Sequence, residues 1–272
     1  MATGESGSGS AALRVFTDEL KRARAATGLS QDQLGERINF SGSLVGMVEA
    51  ARRVPSLDFA RRCDDALGTG GLLARMHHLV AGDAYASWFR PFAQHEADAT
   101  TLRTFELAVI PGLLQTEGYA RALLGARVGT LATDVDQQVS ARLERQVILD
   151  RDKPPLLWVL LDEGVLRRPV GGREVMRHQV EHLVDMGERP NIIIQIIAAE
   201  VGAHDGVNGS FVIADFADAP GIAYLETALT GWIVERRDQV DTIRAIYDSL
   251  RAEALPRPAS AQLVRESAKL WT

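Results

Sequence analysis

The stretch LSQDQLGERINFSGSLVGMVEAARR, residues 29–53, constrains this chain more than any other. Ser30 and Ser41 each precede a short run with helical apolar spacing, Leu34 and Ile38 after the first, then Leu44, Val45 and Val48 after the second. A serine hydroxyl accepts a hydrogen bond from a free N–H of a helix's first turn, so each serine marks a helix start. Only a short turn separates the two runs, and Gly35 keeps the first helix small where the second must approach it. Neighbouring helices are legible on both sides. VFTDELKRARAATG places Val15, Phe16, Leu20 and Ala23 on one face, and Gly28 stops it. A fourth helix begins near Pro55, turns Leu57, Ala60, Cys63 and Leu67 inward and ends at Gly68. GGLLARMHHLVAG reads as a fifth. Residues 13–81 are therefore expected to form an all-α, five-helix domain. Residues 1–12, rich in Gly and Ser, are expected to be a flexible tail or a remnant of expression.

The bulk composition narrows the remainder. A chain of 272 residues suggests one large domain or two, and it can bury a core without staples. Its single cysteine, Cys63, permits no intrachain disulfide, which fits a reducing cytoplasm. No apolar run approaches the roughly 20 residues a spanning helix needs, and the N-terminus lacks the basic and hydrophobic segments of a secretory signal. Net charge is −6 but uneven. Residues 13–81 carry 10 Lys/Arg against 8 Asp/Glu, a balance of +2, while residues 82–272 carry 20 against 27, a balance of −7. The acidic total thus leaves room for nucleic acid, provided the phosphate-facing surface is local and near the N-terminus.

After Gly82 the pattern changes. A strand is expected around residues 102–109, then a helix in LLQTEGYARALLGA and an amphipathic helix through Val135, Val139, Leu143 and Val147. PPLLWVLLD, NIIIQIIA, GSFVIADF and GIAYLET read as strands, separated by turns and by a helix over residues 173–188, with two closing helices at the end. The nearly unbroken apolar run Ile192–Ile197 predicts a central strand covered on both faces. Residues 85–272 are therefore expected to form a larger α/β domain, making the fold α+β overall.

A helix-turn-helix reads DNA by laying its second helix in the major groove while the first props it against the backbone. The resemblance to the lambda-repressor-like, XRE-type DNA-binding domains is carried by GLSQ at residues 28–31, by Phe40-Ser41 at the turn, by Val45, Val48 and Glu49, and by Pro55-Ser56. One departure is that the usual Asn-Gly after the glutamate is Ala50-Ala51 here. The resemblance implies that Gly42, Ser43 and Met47 face base edges, and that Gln31, Ser41, Arg52 and Arg53 face phosphate. Ser43 offers one or two hydrogen bonds, Met47 only apolar contact such as with a thymine methyl, and Gly42 reads nothing but lets the helix sit closer. No bidentate pair is available, so specificity per half-site is expected to be modest, supplemented by backbone contacts, DNA shape and dimerisation. Arg61 and Arg62 are expected to solvate a helix face.

The second half resembles the Scr-type regulators of actinomycete bacteria, through VIPGLLQTEGYARALL, ARLERQ, LLDEGVLRRPVGG, MRHQVEHLV, the Gly-x-His-x-Gly at 202–206, GSFVIADF and YLET in that order. That resemblance implies a cytoplasmic transcriptional regulator with an antitoxin-like C-terminal domain of unknown function, paired with a small partner protein encoded nearby. No catalytic constellation is expected. Gly206 stands where a His-x-Lys phosphodiesterase motif after His204 would need lysine, Cys63 reads as core, and adjacent His77-His78 make a poor chelate. Asp162-Glu163 reads as a turn or cap, and residues 110–116 either as a ligand- or partner-facing loop leading into a helix or, the favoured reading, as a Pro111-Gly112 turn with Leu113 and Leu114 in the core and Thr116 capping the helix. No metal or cofactor is expected. Three functions compete: a homodimeric DNA-binding regulator whose C-terminal domain senses a partner or ligand, an enzyme with a DNA-targeting domain, and an interaction module with weak DNA binding. The first is the expectation, with double-stranded DNA as partner and no enzyme activity.

Overall fold

The computed structural model describes residues 11–84, 88–126 and 132–271. The helices run α1 (Ala11–Ala26), α2 (Gln31–Ile38), α3 (Gly42–Glu49), α4 (Leu57–Leu67), α5 (Leu72–Ala84), α6 (Arg90–Asp98), α7 (Glu117–Gly125), α8 (Ala132–Gln146), α9 (Gly164–Arg167), α10 (Arg173–Gly187), α11 (Arg237–Glu253) and α12 (Arg257–Ala268). The strands are β1 (Thr101–Glu106), β2 (Leu156–Asp162), β3 (Ile192–Ile197), β4 (Phe211–Asp215), β5 (Ile222–Glu226) and β6 (Gly231–Val234). Contacts divide the chain into two compact units, Met1–Ser87 with Leu124–Glu144, and Trp88–Leu123 with Arg145–Thr272. Residues 124–144, expected in the C-terminal domain, thus group with the N-terminal bundle. Of the expected tail, residues 1–10 lie outside the described residues, and Ala11 and Ala12 already belong to α1.

In the first unit the helix starts follow their serines. Ser30 forms a reciprocal box on α2, its Oγ accepting from Gln33 N at 3.1 Å and its N–H donating to Gln33 Oε1 at 2.8 Å. Ser41 and Ser56 cap α3 and α4 by accepting from Leu44 N and Phe59 N, each at 3.1 Å. Gly68, at φ 67°, ends α4. The start of α5 is capped from outside its own sequence, because Asp64 accepts from Leu73 N and Ala74 N, both at 2.8 Å. The core gathers Leu13, Phe16, Leu20, Leu34, Ile38, Val45, Val48, Phe59, Cys63 and Leu73. Two expectations need correction. Val15 is exposed rather than inward, since the α1 stripe is centred on Leu13, Phe16 and Leu20 and the adjacent position lies about 100° away. On α4, Phe59 takes the deep position, while Leu57 is half-buried at the rim.

The second unit is a mixed six-stranded sheet in the order β3-β2-β1-β4-β5-β6. β1, β2 and β3 are parallel, and β4, β5 and β6 continue antiparallel from β1. One face packs Phe105, Leu160, Ile197, Phe211 and Ile213 beneath Tyr247 and Leu250 of α11. The other buries Leu102, Val159, Ile192 and Ile194 against Met176, Val180 and Leu183 of α10 and Val264 of α12. β3 is an edge strand, correcting the expected central position. Its apolar sequence is explained by cover on both faces. Its open edge is closed by the α11–α12 connection and the first turn of α12, with Leu255 N–H donating to Ile196 O at 2.8 Å and Ile196 N–H to Ser260 Oγ at 3.0 Å. Val147, expected inward on α8, is exposed, because α8 ends at Gln146 and a 3-10 turn follows. Among the described residues no helix is long and apolar enough to cross a membrane.

Candidate nucleic-acid interface

The α2–α3 corner depends on two glycines. A Cβ on Gly35 would lie 2.6 Å from Gly42 N and 2.8 Å from Phe40 O, both backbone atoms that cannot step aside. The chain reverses through Asn39, left-handed at φ 58°, and Phe40 N–H returns to Gly35 O at 2.9 Å. Gly42 meets α2 in turn. A Cβ there would lie 2.7 Å from Asp32 Cα and 2.9 Å from Asp32 Cγ. Gly42, expected to face base edges, thus has the space of a side chain taken by Asp32 and serves as a helix-packing position.

The other expected residues surround this corner. Ser41, Ser43 and Met47 are exposed. Ser41 Oγ accepts from Leu44 N–H, which leaves its own hydroxyl proton free to donate. The aliphatic wall behind them, Val45 and Val48, is fully buried. Gln31 is exposed at the first position of α2, yet its amide is already engaged, with Nε2 donating to Glu49 Oε2 at 2.7 Å and Oε1 lying over Gly46. Arg52 and Arg53 are exposed, and neither side chain has a hydrogen bond or ion pair among the described residues. Arg62 bonds Asp58 at 2.9 Å and lies over the Phe40 ring, consistent with a solvated helix face.

Sequence reasoning missed the group that fixes the angle of α3. Glu49, at its C-terminal end, is buried, and Arg24 of α1 grips it through Nε at 2.6 Å and Nη2 at 2.9 Å. Arg24 also donates to Leu29 O at 2.7 Å, tying α1 to the segment that enters α2. Burial alone would raise the Glu49 carboxyl, but the hydrogen bonds from Arg24 and Gln31 outweigh it and hold the group below the usual carboxylate range. The Glu49 side of this pair sat in the recognised pattern. Its partner 25 residues away carried no local signal. The exit of α3 is a Schellman turn, with Ala51 N–H to Val48 O and Arg52 N–H to Met47 O, both at 2.9 Å. Ala51 occupies the left-handed position at φ 55°, so the Ala-Ala departure keeps the exit geometry at a conformational cost.

Residues 15–76 match the model of a helix-turn-helix domain. Residues 89–266, about two thirds of the chain, match a second family model described as a domain of unknown function, DUF5753. The chain belongs to this DUF5753 family. No curated protein and no solved structure matches it. It thus carries a helix-turn-helix domain, a class of domain that binds DNA, followed along the chain by a DUF5753 domain.

Within the DUF5753 region the polar residues singled out from the sequence are tied into the fold. His204 Nδ1 accepts from Gly206 N–H at 3.1 Å, and Nε2 faces Asp162 Oδ2 at 3.4 Å. Asp162 also accepts from Gly164 N–H at 2.7 Å, and Glu163 accepts from Ala199 N–H at 2.9 Å and from Arg167. The backbone bond from Ala199 is the chief reason that Glu163 is held below the usual carboxylate range. The IPGLLQT phrase is a packed turn. Leu113 and Leu114 are buried, Gln115 Nε2 donates to Ile110 O at 2.6 Å, and Gln179 bridges Thr116 N–H and Leu114 O, each at 2.7 Å. Thr116 Oγ1 accepts from Tyr119 N–H at 3.4 Å as a long cap. In the first unit, His77 is buried against Pro55 O and Glu144, both at 3.1 Å, whereas the side chain of His78 lies outside the described residues.

Proposed function

We propose that this chain is a sequence-specific transcriptional regulator that binds duplex DNA through residues 29–53 and dimerises through its DUF5753 domain, which also senses a partner protein or ligand. The observation that carries the reading is the exposure of Ser41, Ser43, Met47, Arg52 and Arg53 around an α2–α3 corner whose angle is set by backbone contact at Gly35 and by the buried Glu49. A stiff corner with hydroxyl, thioether and exposed guanidinium groups outward suits a groove and its flanking phosphates. Two-fold association suits palindromic half-sites about one helical turn apart. The resemblance to actinomycete Scr-type regulators adds a cytoplasmic location and a small partner protein encoded nearby, and no turnover is assigned to the chain.

The deciding experiment combines genome-wide occupancy mapping with binding of the full chain to the recovered duplexes at several salt concentrations. A recovered motif bound in preference to random DNA is expected, with Ser43→Ala changing base preference. Absence of any preferred duplex would sink the proposal. One feature favours a second reading, an antitoxin-like interaction module with weak DNA binding. The reading positions Ser43 and Met47 supply no bidentate pair. Co-purification of a partner protein together with indifference to DNA sequence would favour it.

A further inference from the structure

Gly42 carries no side chain that could read a base, which leaves a gap at the first turn of α3, and the structure shows what fills it. The carboxylate of Asp32, from the first turn of α2, occupies the space in which a side chain at position 42 would begin. Asp32 is exposed, and among the described residues its carboxylate has no hydrogen bond and no ion pair. It is therefore an unengaged acceptor beside the N-terminus of the helix that the proposed function places in the major groove. We infer that Asp32 is a specificity-determining residue that reads cytosine in place of the absent side chain at position 42, an inference that rests on the DNA-binding reading above.

The chemistry selects the base. A carboxylate only accepts, so it needs a donor on the base edge. Two bases offer one in the major groove, cytosine through its N4 amine and adenine through its N6 amine. Adenine sets the N7 acceptor beside that amine, which repels a carboxylate, whereas cytosine presents its amine with no acceptor on the same base edge. Guanine and thymine present acceptors alone and are disfavoured. Asparagine at the same place carries both donor and acceptor and pairs bidentately with adenine, so Asp32→Asn should exchange one base for the other rather than merely weaken binding.

The test is selection of duplexes from a random pool by the full chain and by its Asp32→Asn and Asp32→Ala variants, with thermal unfolding confirming that each variant is folded. Wild type is expected to enrich a site with cytosine favoured about tenfold at one position of each half-site, within the range of a single good base contact. Asp32→Ala should lose that preference at that position alone, and Asp32→Asn should replace it with adenine. A defined site whose preferences survive both variants overturns the inference and leaves the DNA-binding reading standing. A uniform rise in affinity for all sequences does the same, since it shows that Asp32 only repels phosphate. Enrichment of no sequence by wild type overturns both. If Asp32→Asn unfolds, the Asp32→Ala comparison decides alone.

Discussion

Three side chains, Arg24, Glu49 and Gln31, hold the recognition corner, and their balance is electrostatic. Glu49 is buried and bidentate to Arg24, so removing the cation strands a desolvated carboxylate. Arg24→Met should therefore cost about 3 kcal/mol, the lower end for breaking a buried pair, measured as a shift of the urea midpoint. The pH dependence follows from the same contacts. Because the folded state depresses the Glu49 value, its contribution is present above the unfolded carboxylate value of about 4.3 and is lost as pH falls through the lower folded value. Asp215, for which burial is outweighed by Arg244 and Arg103, and Glu163 shift in the same direction. Stability should accordingly fall below about pH 4, and Glu49→Gln should flatten that limb without abolishing it. An unchanged acid limb in Glu49→Gln would remove Glu49 from this account. Cys63 offers an independent check on the same core. Burial, reinforced by the negative charges of Asp64 and Glu49, pushes its thiol up to about 12. Alkylation of Cys63 by iodoacetamide at pH 8 should then track global unfolding, and rapid labelling of the native chain would contradict the packing described for α4.

At the scale of elements, what the sequence revealed was local and what it hid was not. Ser30, Ser41, Ser56 and Gly68 mark helix ends because a cap is a contact between residues a few positions apart. Asp64 escaped notice because it caps α5 from ten residues upstream. β6, four residues long, and α6, which has proline in its first turn and no side-chain cap, carried too little periodicity to register. The edge position of β3 was hidden because the loop that closes it lies some 60 residues further on. The α2–α3 corner makes two opposed predictions. Gly35→Ala drives a methyl into backbone at Gly42 and Phe40, so it should cost about 1–3 kcal/mol and weaken DNA binding, since the corner must open. Ala51→Gly should do the reverse. A left-handed alanine costs roughly 1–2 kcal/mol and the added glycine entropy offsets about 0.5–1 kcal/mol of the relief, so a gain of up to about 1.5 kcal/mol in stability is expected. Calorimetric melting of both variants checks the pair, and a destabilised Ala51→Gly would mean that the positive φ at the exit carries no strain.

For the whole molecule, charge decides where DNA can bind. The chain is acidic overall, with the positive balance confined to residues 13–81, so its attraction to DNA must come from few cations on one surface. The candidate phosphate contacts came as a set from the resemblance to the lambda-repressor-like domains, carried onto Gln31, Ser41, Arg52 and Arg53. How they are engaged was not readable: among the described residues the Arg52 and Arg53 side chains show no partner, while Gln31, expected beside them, is drawn back onto Glu49. Under the proposed function Gln31 would be shared between holding the corner and touching phosphate, whereas the two exposed arginines would serve phosphate alone. This difference sets the salt dependence. Each phosphate neutralised adds about 0.9 to the slope of log affinity against log salt. Arg52→Ala and Arg53→Ala should each lower that slope by about 1 and weaken all duplexes alike. Gln31→Ala should leave the slope nearly unchanged, because it removes no charge, and should instead lower stability by releasing one bond to Glu49. Titrations of one duplex between about 50 and 200 mM salt separate the cases. A slope that ignores both arginines would place the phosphate contacts elsewhere, and the face built on residues 29–53 would no longer be the one that meets DNA.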